Sequence, residues 1–420
     1  LVALFVLVVL DPLSVLSFGF WLSFLGVGWL VLCLSGPGAG GYVRTLVAAQ
    51  AVVTVGLMPL TIAFFSEASL IGPLANMLAI PWVTVVVVPM ALAGVALDLA
   101  WAGLGTWPLL AAAHAMEWTA GAKAWLASSA WAMRHVAQPH PGAVLLALLG
   151  AAWLLAPRGT PGKGVAVLLW LPLLMPRVPA PVHGMFELWM IDVGQGLSLA
   201  VRTRQHVLLY DAGPASPFGG DMGRTAVVPA LRALGVRRLD TVMISHGDND
   251  HAGGLGSVLQ AWPQARLWGP APWLARIAGA DPGGSGSRRP CEAGAGWEWD
   301  GVRFEVLHPT PHFPELGNES SCVVRVAGRH ASALLTGDIG HVVERRLIRR
   351  EGHSLRSDVL VLGHHGSRNS SARDFLEVVA PVLAVNGSAH ASRFNHPHPD
   401  TVERLESLGI PLLDTGEAGF

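Results

Sequence analysis

Two stretches of this 420-residue chain carry no charged side chain and are long enough to cross a lipid bilayer. Residues 13 to 34 and residues 45 to 65 contain no Asp, Glu, Lys or Arg. A hydrocarbon core about 30 Å thick requires about 20 consecutive apolar residues in a helix. A single such run can also be a buried helix of a soluble protein. Several runs in one chain favour membrane spans instead.

Further apolar segments follow before residue 178. Residues 69 to 100 are interrupted by three prolines, and they predict either one kinked span or a re-entrant segment followed by a span. Residues 142 to 156 and 164 to 176 are shorter and predict a helical hairpin. Residues 114 to 135 contain Trp at helical spacing among charged residues, which indicates an amphipathic helix at the membrane interface. A loop packed on the helical bundle is the alternative for this segment.

Charge divides the chain into two parts. Only ten of the 57 charged residues and three of the 17 histidines precede position 183. We therefore predict a multi-domain protein with an α-helical polytopic membrane domain over residues 1–177. A Pro-rich linker over 178–184 and a soluble domain over 185–420 follow it.

The second part consists of short apolar strands alternating with helical segments, which predicts a layered α/β domain. Its 22 basic and 25 acidic residues, within a net charge of −1 for the chain, count against a large DNA-binding surface there. Cys33, Cys291 and Cys322 lie far apart, and we expect neither a disulfide framework nor a zinc knuckle from them. They leave the redox compartment open.

The segment from Ser245 to Gly254 carries the strongest chemical signal. His246, Asp248, Asp250 and His251 fall within six positions directly after an apolar strand. Imidazole and carboxylate ligands suit hydrolytic metal centres. A solvated acidic turn is the alternative, but four ligands at one strand end favour a metal site.

This segment resembles the metallo-β-lactamase signature His-x-His-x-Asp-His, with Asp248 in place of the second histidine. Three more elements of that family follow in order, each after an apolar strand. They are Asp211 in Tyr-Asp-Ala-Gly, Asp338 in Leu-Leu-Thr-Gly-Asp, and His364 and His365 in Leu-Gly-His-His-Gly-Ser. The resemblance implies an αββα sandwich and a metal-dependent hydrolase.

Two departures from the family pattern affect the expected cofactor. A carboxylate at Asp248 is a harder ligand than imidazole, so we expect two divalent ions that are Mn²⁺ or Zn²⁺, with Mg²⁺ possible. The middle histidine of the family has no clear equivalent. His308 and His312 are candidates for it, and the window around Asn318, Ser320 and Ser321 is an alternative.

Motifs along nearly the whole chain make it similar to the ComEC-type DNA-internalisation competence proteins. In the second part they are Ile191-Asp192-Val193-Gly194-Gln195-Gly196, Asn318-Glu319-Ser320-Ser321 and Asn395-His396-Pro397-His398-Pro399. In the first part they are Asp11-Pro12-Leu13-Ser14, Gly19-Phe20-Trp21-Leu22-Ser23-Phe24, Phe64-Phe65 and Gly72-Pro73-Leu74-Ala75-Asn76. Such proteins are longer, so we expect this sequence to be a fragment that lacks residues at both ends.

The resemblance implies DNA uptake during natural transformation. Single-stranded DNA would pass through the membrane part, and the soluble part would be a nuclease that processes the duplex and cuts phosphodiesters. One metal would be held by His246, Asp248 and Asp338, and the other by Asp250, His251, Asp338 and either His364 or His365. The catalytic residues would be Asp250, Asp211, which orients the ligands, and His396, which contacts the scissile phosphate or protonates the leaving group.

The expected partners are DNA, the lipid membrane and other proteins of the competence machinery, and the expected location is the cytoplasmic membrane. Among polar residues in the apolar runs, Asn76 and Asp11 are candidates for a role in transport. Arg158 and Lys163, between two uncharged segments, indicate a cytoplasmic loop. The hydrolase domain would then lie on the outer side.

Two rival functions remain open at this point. One is a membrane-anchored metallohydrolase of a small molecule such as a lactam, a thioester or a phosphodiester. The other is a transport subunit whose site has lost its metal, although the full ligand set argues against it. The sequence leaves open the native metal, the strand polarity, which strand is cut and the oligomeric state.

Overall fold

The computed structural model describes residues 2–34, 41–127, 129, 132–157, 159–279 and 286–418. The chain divides into two compact units, Leu1–Arg177 and Val178–Phe420. Arg158, on which part of the orientation argument depends, lies outside the described residues.

The first unit is built from helices and one short pair of strands. The α-helices are Val2–Leu10, Phe18–Leu34, Tyr42–Phe65, Gly72–Trp82, Val88–Ala100, Thr106–Ala127, Pro141–Leu155, Lys163–Ala166 and Leu171–Leu174. Segments of 3-10 helix cover Pro12–Leu16 and Val167–Trp170. Strands β1 (Glu67–Ser69) and β2 (Met133–His135) pair antiparallel.

The proline-rich segment after residue 69 is one continuous helical stretch rather than two separate elements. A π-helical turn over Val83–Val87 joins the helices on either side, giving 29 helical residues from Gly72 to Ala100. Pro89 has no N–H to donate within an α-helix, and the π-helical turn lies directly before it. π-helical turns inside α-helices accommodate such interruptions.

Among the described residues, two helices are long and apolar enough to cross a membrane, Tyr42–Phe65 and Gly72–Ala100. Three apolar helices are shorter, namely Phe18–Leu34, Pro141–Leu155 and Lys163–Leu174. The prediction of an amphipathic helix over residues 114 to 135 is wrong at its end. The helix stops at Ala127, and Met133–His135 forms β2 because its backbone pairs with β1.

The second unit contains two sheets. Its strands are β3 (Glu187–Met190), β4 (Leu199–Arg202), β5 (Val207–Tyr210), β6 (Thr241–Met243), β7 (Arg266–Gly269), β8 (Arg288–Pro290), β9 (Gly296–Trp299), β10 (Val302–His308), β11 (Val323–Ala327), β12 (Ser332–Leu335), β13 (Val359–Val361), β14 (Leu383–Asn386) and β15 (Leu412–Asp414). One sheet has the order β3-β4-β5-β6-β7-β8, and the other has the order β15-β14-β13-β12-β11-β10-β9.

The helices of the second unit fall between these strands. The α-helices are Val228–Ala233, Asn249–Ala252, Leu255–Ala261, Ala271–Arg276, His341–Glu351, Arg373–Val379, Pro399–Ser407 and Thr415–Ala418. A π-helical turn covers Gly223–Val227, and 3-10 turns cover Ile277–Gly279, Gly317–Ser320, Gly352–Leu355 and Gly363–Gly366. The sequence does not predict β4, β7, β8 or β9, which are short and of mixed polarity.

Alternate residues of one strand pack on opposite sides of its sheet. In β5, Leu208 and Tyr210 lie in a core shared with Phe304 of the other sheet, whereas Leu209 packs with Leu231 of a covering helix. In β12, Leu334 packs on the opposite side with the helices that cover the second sheet. Strands with both faces buried are apolar at nearly every position. This layering of helices, two sheets and helices confirms the predicted metallo-β-lactamase sandwich.

Parallel strand pairs place the candidate ligands at one edge. β5 and β6 are parallel in one sheet, and β12 and β13 are parallel in the other. The ligand motifs follow directly after these four strands, so their side chains meet where the strands end.

The expectation about the cysteines is wrong for two of them. Cys291 and Cys322 form a disulfide, and both are fully buried. They are 31 residues apart in the chain, and only the pairing of the strands around them brings them together.

Candidate metal centre

Asp211 occupies the centre of a buried hydrogen-bond network at the end of β5. Its carboxylate accepts hydrogen bonds from the Ser245 backbone N–H at 2.6 Å and the Ser245 hydroxyl at 2.7 Å. It also lies 2.8 Å from Nδ1 of His251. A carboxylate oxygen accepts, so this Nδ1 carries a proton, and the Nε2 of His251 is the ring nitrogen directed at Asp338. Asp211 therefore orients His251, as a partner behind a metal ligand does.

His365 is held in a corresponding way at the end of β13. Its Nδ1 donates to the backbone carbonyl of Gly387 at 2.8 Å, which leaves Nε2 as the free ring nitrogen. The backbone of His364 and His365 has φ values of +50° and +54°. These values lie in the left-handed region, which residues other than Gly rarely adopt. Asp211 has φ +60°. Such conformations cluster at functional sites, where the surrounding structure enforces them.

Four side chains converge into one group. Asp250, His251, Asp338 and His365 each offer a ligand atom, and these atoms all lie within 4.8 Å of one another. The Nε2 of His251 lies 3.2 Å from Oδ1 of Asp338. The Nε2 of His365 lies 3.3 Å from Oδ2 of Asp250 and 3.6 Å from Oδ2 of Asp338. Of the two adjacent histidines that the sequence left open, His365 joins this group.

His246, Asp248 and His364 lie at the rim of this group rather than inside it. The Nε2 of His246 is buried without a hydrogen-bond partner among the described residues and lies 3.6 Å from Oδ2 of Asp248. Its ring centroid is 4.2 Å from that of His251. The Nε2 of His364 lies 4.0 Å from Oδ2 of Asp338. These three side chains therefore lie next to the four central residues without joining their group.

The electrostatics of the group favour a bound cation. Burial opposes ionisation of Asp338, but the neighbouring His251 and His365 outweigh it and hold the pKa of this carboxyl well below its usual range. Burial also opposes protonation of His251, yet Asp338 and Asp211 raise the pKa of His251 well above its usual value. The pKa of His365 is raised against burial by Asp338 and Asp250. A proton or a metal ion that enters this group meets strong attraction.

The donor set fits a divalent metal. Imidazole nitrogens and carboxylate oxygens are the ligands found in hydrolytic centres, and each central histidine is fixed through its other nitrogen. Buried Oδ1 of Asp338 and Nε2 of His246 both lack a hydrogen-bond partner among the described residues. Buried polar atoms normally have hydrogen-bond partners. The lack of a partner at these two atoms is therefore what is expected of metal ligands.

Two other sequence candidates are placed differently. His308 is buried away from the group, and its Nε2 donates to the backbone carbonyl of Glu319 at 2.8 Å. Burial lowers the pKa of His308 to about 4. This side chain supports the loop, and neither His308 nor His312 is among the grouped ligand atoms. The alternative window does reach the rim, where Ser321 Oγ lies 3.4 Å from Nδ1 of His246.

His396 lies beside the group in the loop after β14. Its ring centroid is 6.2 Å from that of His365, and burial together with His365 and His364 lowers the pKa of His396 to about 4. Its Nδ1 is buried without a hydrogen-bond partner among the described residues. This imidazole is therefore neutral at pH 7 and offers hydrogen bonds rather than charge.

Sequence reasoning missed two supporting groups, namely the hydroxyl of Ser245 and the carbonyl of Gly387. It considered Ser321 as a replacement for the absent middle histidine and not as a support for Asp338. Ser321 accepts the backbone N–H of Asp338 at 3.0 Å and so fixes the loop that carries this residue. The sequence signal for Ser245 is its position directly before the motif that begins at His246. A backbone carbonyl has no signal in the sequence at all.

Comparison with known proteins follows the division of the chain. Residues 1–161 match the competence protein family, and residues 191–390 match the metallo-β-lactamase superfamily. Competence protein ComA of Neisseria gonorrhoeae is 37% identical over 418 residues, which cover 99% of this chain and 57% of that protein.

Two further relatives also match almost the whole chain. The uncharacterized protein YcaI of Escherichia coli is 29% identical, over 98% of this chain and 54% of its own length. ComE operon protein 3 of Bacillus subtilis is 26% identical, over 99% of this chain and 56% of its own length. The chain thus spans about half the length of each of these relatives.

Proposed function

The chain joins a competence protein domain to a metallo-β-lactamase domain and is homologous over its whole length to competence proteins of the ComA and ComEC type, and from this premise we propose that it acts in DNA uptake during natural transformation. The helical unit passes single-stranded DNA through the cytoplasmic membrane. The sandwich unit is a metal-dependent deoxyribonuclease. The observation that carries the nuclease assignment is the buried group of Asp250, His251, Asp338 and His365.

Two divalent metals fit the site in this proposal. His246, Asp248 and Asp338 would hold one ion. Asp250, His251, Asp338 and His365, whose ligand atoms lie within 4.8 Å of one another, would hold the other. When bound, the metals supply Lewis acidity and lower the pKa of a water molecule that attacks phosphorus.

The residues of the chain position these groups. Asp211 and the Gly387 carbonyl fix the two central imidazoles so that each Nε2 faces inward. Neutral His396 is poorly suited to protonate a leaving group at pH 7, because its pKa is about 4. Of the two roles expected from the sequence, contact with a phosphate oxygen through a ring N–H is the one that its protonation state supports.

The surface of the helical unit supports a membrane location. Leu99 is 83% exposed, Trp107 is 80% exposed and Leu78 is 64% exposed. Large apolar patches on a protein surface mark interaction with lipid or with other proteins. Together with the spans Tyr42–Phe65 and Gly72–Ala100, they support a multi-pass protein.

Of the two polar residues singled out as transport candidates, Asn76 is exposed on its helix. Asp11 has a local role, since its carboxylate accepts the backbone N–H of Leu13 at the start of a 3-10 helix.

The disulfide gives an independent argument for the outward orientation of the sandwich unit. Disulfides persist in oxidising compartments and are rare in the cytoplasm. The Cys291–Cys322 bridge is therefore more compatible with a domain outside the cytoplasmic membrane, where duplex DNA arrives. Lys163, at the start of the apolar helix Lys163–Leu174, agrees with this orientation under the positive-inside rule.

The nuclease is tested with the full chain purified in detergent, supplied with Mn²⁺ and linear DNA. His251→Ala should lower the cleavage rate about 100-fold or more, since loss of even a partner behind a metal ligand costs about 10- to 100-fold. His330→Ala is the matched control, because His330 is exposed in the turn before β12, at the end opposite Asp338. Equal cleavage by the wild type and His251→Ala would remove the basis of the proposal. Hydrolysis of a small ester without any cleavage of DNA would instead favour a small-molecule hydrolase.

A further inference from the structure

An open cleft of about 600 Å³ adjoins the metal centre on the side of the loop after β14. Its walls include Gln195, Asn249 and the ligand Asp250, and its outer edge is formed by Arg393 and Phe394. We propose that Arg393 and Phe394 bind an unpaired nucleotide next to the bond that is cut. In this proposal the base stacks on the aromatic ring and the guanidinium contacts the adjacent phosphate. The inference rests on the proposed nuclease function and specifies the part of the DNA that is bound as an unpaired nucleotide, in a single strand or at a frayed duplex end.

A row of nearly parallel rings leads from the centre to this edge. The rings of His365 and His396 have centroids 6.2 Å apart at an interplanar angle of 26°, and those of His396 and Phe394 are 6.0 Å apart at 30°. Offset rings at such separations attract each other. Phe394 ends the row with 51% of its surface exposed. A base that stacks there continues the row away from the metal ligands.

Arg393 adds a positive charge at the same place. Its Cζ lies 4.7 Å from the centroid of the Phe394 ring, and guanidinium planes as well as aromatic rings stack with nucleobases. Among the residues that line the cleft, all within the described part of the chain, Arg393 is the one cation. Asp250 in the same wall repels phosphate unless a metal is bound, so the guanidinium favours the position away from it.

The loop that carries this pair is anchored on both sides. The hydroxyl of Ser392 donates to Oε1 of Gln195 at 2.7 Å, and the N–H of His398 donates to the Gly366 carbonyl at 2.9 Å. Asn395 adopts φ +55°, which turns the chain between Phe394 and His396. An exposed aromatic on an anchored loop loses less conformational freedom on binding than one on a free segment.

Stacking also explains why the site would select unpaired nucleotides. Every base offers a π face, so the contact tolerates any sequence. In a duplex both faces of each base are covered by neighbouring base pairs, and only a single strand or a frayed end presents a free face. The unit has 22 basic and 25 acidic residues, and this slightly negative balance likewise gives little attraction for the backbone of a long duplex.

The test measures binding of a fluorescent 20-nucleotide single strand to the full chain in detergent, with EDTA present so that nothing is cut. Phe394→Ala should weaken binding about tenfold, within the range expected for one base stacked on one aromatic ring. Phe394→Trp should restore it, and a strand of the same length without bases should bind the wild type and Phe394→Ala equally. Arg393→Ala should weaken binding and reduce its salt dependence. Arg345→Ala, an exposed arginine on the helix His341–Glu351, is its control.

Equal binding of the intact strand by the wild type and Phe394→Ala would overturn the inference. So would an equal loss for the strand without bases, since stacking would then play no part. Cleavage with Mn²⁺, measured separately on the same preparations, reports on the nuclease itself. Failure of the nucleotide-binding proposal, seen as equal binding, is therefore distinguishable from failure of the nuclease proposal, seen as absence of cleavage.

Discussion

The Nε2 atoms of His251 and His365 lie 3.2 Å apart, and the Nδ1 of each ring is hydrogen-bonded to an acceptor on its far side. In neutral imidazoles bonded in this way, two lone pairs face each other. That arrangement is unfavourable unless a proton or a metal ion lies nearby to be shared. Asp250 and Asp338 close the other sides of the same space. The predictions below examine what this arrangement binds and what maintains it.

Asp338→Ala should remove both metals from the full chain. Asp338 contacts the two central histidines, and in the proposed arrangement it is the carboxylate that both metals would share. Elemental analysis after dialysis measures the outcome. Asp374→Ala, an exposed carboxylate on the helix Arg373–Val379, serves as the control. Full metal occupancy in Asp338→Ala would contradict the assignment of this residue as a bridge.

Asp211→Asn should weaken metal binding about 10- to 100-fold with the fold preserved. An amide that keeps its oxygen toward the Ser245 N–H presents N–H to Nδ1 of His251, which then becomes an acceptor. The proton of His251 moves to Nε2 and blocks the metal position. Nitrogen NMR of the imidazole should report the changed tautomer. An unchanged tautomer and an unchanged affinity would show that Asp211 has no orienting role.

Metal affinity should fall as the pH is lowered. This loss should begin at a higher pH than it would for histidines with the usual pKa. The pKa values of His251 and His365 are raised by the surrounding carboxylates, so protons occupy both rings over a wider range and compete with the metal. Calorimetry in buffers of different ionisation enthalpy should show protons released on binding near neutral pH. His251→Ala should release fewer. Binding without proton release would mean that both rings are already neutral.

His308 should destabilise the sandwich unit in mild acid. Its folded pKa of about 4 lies below the usual value of 6.5, so the unfolded state takes up the proton first. Stability is therefore lost as the pH falls from 6.5 toward 4, by up to about 3 kcal/mol. His308→Gln keeps a donor for the Glu319 carbonyl but does not titrate. Urea unfolding measures this at pH 7 and pH 5. The free energy of unfolding of the variant, relative to that of the wild type, should be higher at pH 5 than at pH 7. A constant difference would rule out this contribution.

The outward orientation predicts that a thiol in the linker is accessible from outside the cell. Ala180→Cys is placed in a Cys33→Ala background, in which the bridged Cys291 and Cys322 leave no other free thiol within residues 1–420. A membrane-impermeant thiol reagent should then label intact cells. Labelling only after lysis would place the sandwich unit in the cytoplasm, where it would meet DNA after transport.

The sequence by itself determined the division of the chain, the sandwich architecture and the set of ligand motifs. These features are local. An apolar run is visible in consecutive residues, and the four candidate ligands from His246 to His251 fall within six positions after a strand. The strands that the sequence missed are short. One of them, β7, owes its structure to pairing with β6 and β8, which helices separate from it in the chain.

Only the tertiary structure decided which residues complete the site. His364 and His365 are indistinguishable in sequence, and the difference arises from their left-handed backbone and the distant Gly387 carbonyl, which bonds one ring and not the other. The Cys291–Cys322 bridge also depends on how the strands of the two sheets are placed. So does the position of His308 outside the group of ligand atoms. These features depend on side-chain direction and on contacts between distant segments, which are fixed when the sheets pack and which no local pattern encodes.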